Sequence, residues 1–196
     1  PAAYSIAADS VRSLAYGALE DMLSEITTYA NLGDENNPAP GKVRLLEAAN
    51  SLALIMDRAN ENMSFDCQQN CSTNRNALEL ELEAMNLISA LTAAGVEGAY
   101  VMHWQSCLVE YLRFRIEASL VAVKGWCGQF NPLYLKAQET FREGEALLTE
   151  KDDVIGALNF YSDDAQLCLM LDVYNKCLVR VDPDSEFYEY PDVCLE

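Results

Sequence analysis

The chain has 196 residues, 51% of them hydrophobic, and a formal net charge of −18. At this length roughly 70% of the unfolded surface is buried, so the core does not depend on disulfides. An excess of 31 acids over 13 bases excludes the basic face that nucleic acid needs and disfavours anionic membrane surfaces.

Helical periodicity runs through nearly the whole sequence. Over residues 5–31, Val11, Leu14, Ala15, Ala18, Leu19, Met22, Leu23 and Ile26 recur at gaps of three and four and predict one wide apolar stripe. Asp9 or Ser10 is the expected cap, and the loop 34–40 follows Gly33. A second helix is expected over about 41–64, with a heptad seam of Leu45, Ala49, Leu52, Met56, Ala59 and Met63. Residues 65–76 are polar and turn-rich, and a third helix is expected over about 76–94.

Gly95 and Gly98 break the pattern. The longest helix is then predicted over about 98–128, and it is apolar on most sides, as a central helix would be. Asn131-Pro132 stops or kinks it. A fifth helix is expected at about 132–149. A sixth is expected over about 153–180, capped by Asp152 or Asp153 and ended by Pro183. No strand with clean alternation stands out. The fold class is therefore all-α: a single antiparallel bundle of about six helices over 1–181. Residues 182–196 form a tail with six acids and no base, tethered by Cys194.

No apolar run reaches the roughly 18 residues of a spanning helix. The chain opens on Pro1, not Met, which we read as processing or a fragment, a removed secretory signal being one route. Seven cysteines, Cys67, Cys71, Cys107, Cys127, Cys168, Cys177 and Cys194, predict three disulfides and one odd thiol in an oxidising compartment. Cys168 and Cys177 are nine residues apart, so they point from opposite faces of one helix and each needs another partner. The expected scheme ties the 67–71 loop and the Cys194 tail onto the long and last helices. Asn62 and Asn70 open N-x-S sequons and are the expected glycosylation sites.

Chemistry-bearing motifs are few. His103 is the single histidine, which excludes a di-metal carboxylate bundle and leaves structural zinc without its ligand pairs. Residues 182–186 alternate oxygen ligands, but Phe187 and Val193 stand where an EF-hand needs Gly and Glu. Neither a nucleophile elbow nor a phosphate-binding loop is present.

The residues read as a tentative ligand site are Trp104, Tyr111, Arg113, Arg115 and Trp126 on the long helix. Arg113 is expected to pair with Glu117, or else to anchor an acidic group on an apolar ligand. The resulting expectation is a secreted, non-enzymatic binding protein that encloses a small apolar ligand or pigment, with no cofactor indicated. The alternative is a self-assembling extracellular subunit, a homo-oligomer joined by the 45–63 seam and the odd cysteine.

Overall fold

A computed structural model describes residues 2–61, 82–83, 85–150, 153–161, 163–178 and 194–195. Among these, seven α-helices make the chain mostly helical. They are α1 (Ala2–Ala30), α2 (Lys42–Glu61), α3 (85–93), α4 (Gly98–Cys127), α5 (Pro132–Thr149), α6 (Val154–Tyr161) and α7 (Asp164–Val173). A π-helical turn, Tyr174–Leu178, follows α7.

Helix α1 starts earlier than its expected cap. Asp9 and Ser10 lie inside it, because the residues before them include four alanines, the best helix formers. Its buried stripe holds Ala15, Ala18, Leu19, Met22 and Ile26, extended by Tyr29 and Ala30; Leu14 is left exposed. The loop 34–40 holds a two-residue hairpin, Gly33–Asp34 against Asn37–Pro38. Asp34 Oδ1 accepts from the Asn36 and Asn37 amides, and Gly33 supplies the positive φ of the turn.

On α2, Leu45, Ala49, Leu52 and Met56 are buried, and they belong to the same core as Met85, Ile88 and Leu91. Gly41 precedes α2 at φ +66, with no room for a Cβ against the Leu91 side chain. The turn after α3 runs through Gly95, at φ +101, to buried Val96.

Helix α4 is central, as its composition predicts. It packs most extensively against α1 and also meets α5, α6, α7 and the π turn. Its end is abrupt: Gly128 takes a positive φ and its amide bonds to the Lys124 carbonyl. Asn131 then caps α5, accepting from the Leu133 amide at 2.9 Å, with Pro132 in the first turn. The Asn-Pro pair is thus a stop and a fresh start rather than a kink.

The expected sixth helix is broken in two. Asp153 caps α6, its Oδ1 accepting from the Gly156 amide at 2.8 Å. At Asp163 the carboxylate accepts from the Ala165 amide, and the Asp163 carbonyl from that of Gln166. These local bonds offer the backbone an alternative to a continuous ladder, so the chain stops and restarts as α7.

Two disulfides lie among the described residues. Cys127–Cys177 joins the end of α4 to the π turn, with Cα atoms 5.0 Å apart; Cys168–Cys194 joins α7 to the chain end, at 5.3 Å. Cys194 is thus bonded to α7, whereas the acidic residues 182–193 lie outside the described residues. Cys107 is a free, buried thiol. The cysteines of the long and last helices are thus either bonded to one another and to Cys194 or free. The expectation that they hold Cys67 and Cys71 is overturned. Cys67, Cys71, Asn62 and Asn70 themselves lie outside the described residues. No helix among those described is long and apolar enough to cross a membrane.

Candidate functional site

At about 100° per residue, Trp104, Tyr111, Arg115 and Trp126 fall on one side of α4, and Arg113 on the opposite side. The structure follows that geometry and does not gather the five into one site.

Trp104 is fully buried and stacks with Tyr29 and Tyr100, at centroid distances of 5.7 and 6.2 Å. Its indole Nε1 finds no hydrogen-bond acceptor among the described residues, a desolvation cost of about 1–3 kcal/mol. Tyr111 is buried. Arg115 donates to its hydroxyl from Nη1 at 2.7 Å and lays its guanidinium over the ring at 5.4 Å. The two are an internal i,i+4 pair. Trp126 is half-buried beside a void of about 10 Å³ with Phe141, Leu169 and Val173, too small for anything but a water.

Arg113 alone faces open space. It lines a groove of about 1030 Å³ along the outer side of α4, closed by α3, α5 and α6. Ile116, Met85 and Val154 are its buried floor, and Val109, Phe114 and Leu120 its half-buried walls. Met102, 69% exposed, stands at one end. Glu110 and Glu117 of α4, Glu145 of α5 and Asp153 before α6 add four carboxylates. The expected Arg113–Glu117 ion pair does not form: Arg113 has no ion pair or hydrogen bond among the described residues. The signal that would have found the groove is the heptad Met102, Val109, Ile116, on the side of α4 away from the more conspicuous aromatic stripe.

A second constellation lies on the α1 side. His103 Nε2 is 3.8 Å from Cys107 Sγ and 4.0 Å from Glu25 Oε1. A cysteine–histidine–carboxylate unit uses the two ring nitrogens for its two partners. Here both partners approach Nε2. Burial, followed by the charges of Asp21, Glu110 and Glu25, pushes the Cys107 thiol above its ordinary value. A catalytic cysteine needs the opposite shift, so this arrangement does not prepare a nucleophile.

Of the seam expected to join copies of the chain, the part whose side chains are described (Leu45, Ala49, Leu52 and Met56 of α2) lies in the core, while Met63 and the side chain of Ala59 lie outside the described residues. Cys107 is only 5% exposed. No group of three or more metal-ligating side chains occurs among the described residues.

Comparison with known protein families, with curated proteins and with solved structures finds no match to this chain.

Proposed function

We propose that this protein is a secreted, non-enzymatic binding module whose ligand lies in the groove along α4. The observation that carries the reading is Arg113, without a partner among the described residues, within a groove of about 1030 Å³ whose lining mixes apolar side chains with four carboxylates. Ligand sites are commonly concave, apolar and about 300–1,000 Å³, with a few placed polar groups. In this reading the helices form one antiparallel bundle, because connections of a few residues turn each helix back beside the last. The two disulfides support an oxidising compartment, and Asn62 and Asn70 carry glycans there. The ligand lies against the outer face of α4 rather than sealed between helices.

Titration with a neutral solvatochromic dye, Nile red, tests the groove. Saturable binding at one site is expected, abolished by Met102→Glu combined with Val109→Glu. Met102 is exposed and Val109 is half-buried against the core, and circular dichroism checks that the variant keeps its helical fold. Equal dye binding by the wild type and this variant overturns the reading.

A further inference from the structure

We infer that the occupant of the α4 groove is an amphipathic helix with basic flanks, supplied by another protein. This rests on the groove being a binding site, and it names what binds there.

The first observation is register. Met102, Val109 and Ile116 are seven residues apart, and Ser106, Arg113 and Leu120 form a parallel column four residues on. All six line the groove. A heptad column of this kind is the seam along which a second helix packs. The corresponding columns facing α1 are filled by the chain's own core; here Ile116 is a buried floor, Val109 and Leu120 are half-buried, and Met102, Ser106 and Arg113 stay exposed among the described residues.

The second observation is size. Met102 and Leu120 are eighteen residues apart on one helix, which spans about 27 Å, or five turns. A helix about 10 Å across lies along that length. The groove measures about 1030 Å³.

The third observation is charge, and it selects among occupants. Glu110 and Glu117 repeat every seventh residue beside the seam, with Glu145 and Asp153 opposite. Four carboxylates outweigh Arg113, so a fatty acid or another anionic amphiphile meets net repulsion. A second copy of the chain brings a net charge of −18 against an acidic rim and is disfavoured on the same ground. A partner with Lys or Arg flanking an apolar stripe meets complementary charge along both walls. Arg113, at mid-groove, asks for one acidic residue at the centre of that stripe. That one pair sets the register, as a single buried polar residue does in a coiled coil.

The test is fluorescence anisotropy with synthetic peptides of about 20 residues, the length that fills the groove. One peptide has Leu on the heptad seam, Lys on the flanks and a central Glu. A second replaces Lys by Glu, and a third scrambles the order of the first. The Lys peptide is expected to bind one to one, at least about tenfold tighter than the other two. Glu110→Lys combined with Glu117→Lys, two exposed positions, is expected to reverse the preference between Lys and Glu peptides. Arg113→Ala is expected to remove the advantage of the central Glu over a central Leu.

Equal binding of the scrambled peptide means unspecific attraction to an acidic protein and overturns the inference. So does a Glu peptide that binds as well as the Lys peptide. Sedimentation showing a dimer that Met102→Glu dissolves would give the groove to a second copy and overturn the inference too. Absence of saturable Nile red binding by the wild type would be a failure of the groove itself. Dye binding without peptide preference would be a failure of the partner class alone.

Discussion

The ring of Tyr161 lies directly over Gly144, so that a Cβ at 144 would fall on the phenol. Tyr161 is on α6 and Gly144 on α5. The missing side chain is what lets the two helices close. The Tyr161 hydroxyl donates to the Phe141 carbonyl at 3.0 Å, and the two rings stand 6.1 Å apart.

Gly144→Ala is therefore expected to destabilise the protein. The alanine gains up to about 1 kcal/mol of helix propensity, but displacing a packed ring costs about 1–3 kcal/mol. A net loss of about 1 kcal/mol is expected by urea denaturation. Combining it with Tyr161→Ala, which clears the space, is expected to make Gly144→Ala neutral or favourable within that background. Additive losses would show that the ring is not the obstacle.

Burial and then Glu145 push the Tyr161 phenol well above its ordinary value. A folded-state pKa above the unfolded one means the folded protein holds the proton more tightly. The stability so contributed is complete below the unfolded pKa of about 10 and is lost as the pH rises beyond it. Alkaline denaturation followed by tyrosinate absorbance is expected to show the Tyr161 phenol ionising only with unfolding. Tyr161→Phe is expected to remove that late-titrating phenol and to shift the alkaline midpoint upward. An unchanged set of ionising tyrosines would contradict the assignment.

Cys107 is expected to resist alkylation. The neutral thiol is unreactive, and burial together with Asp21, Glu110 and Glu25 keeps it neutral to higher pH than an ordinary cysteine. Iodoacetamide at about pH 8, followed by peptide mass mapping, is expected to leave Cys107 unmodified in the native protein and to label it fully in denaturant. Labelling at the rate of a free thiol in the native protein would refute its burial.

The disulfides are expected to stabilise unequally. Cys127–Cys177 closes a separation of 50 residues and Cys168–Cys194 one of 26. Chain entropy gives about 4 and about 3.5 kcal/mol respectively. Replacing either pair by serines is expected to lower the urea midpoint, the first pair somewhat more. Non-reducing peptide maps are expected to recover the two linked pairs. A map that joins Cys107 to any partner would refute the pairing described here.

The sequence by itself determined the elements and the side that each buries. Periodicities of three and four residues place Leu19, Met22, Leu45, Leu52, Leu108 and Leu112 inside, because a helix commits its residues to faces before it meets any neighbour. The stop at Asn131-Pro132 and the Asp153 cap were equally legible, since each acts through its own backbone. The break at Asp163 was not, because the apolar seam continues across it and only a carboxylate turned back on the chain interrupts the ladder.

The site was legible in one residue. The aromatic stripe drew Trp104, Tyr111 and Trp126 into the expected site, but large apolar rings on the crowded side of a helix fill core. Tertiary structure alone decided which face of α4 the other described residues leave uncovered. It also left Arg113 apart from Glu117 and placed Glu145 and Asp153 across from it. Local spacing fixes which residues share a face; only the packing of distant segments fixes what lies opposite that face.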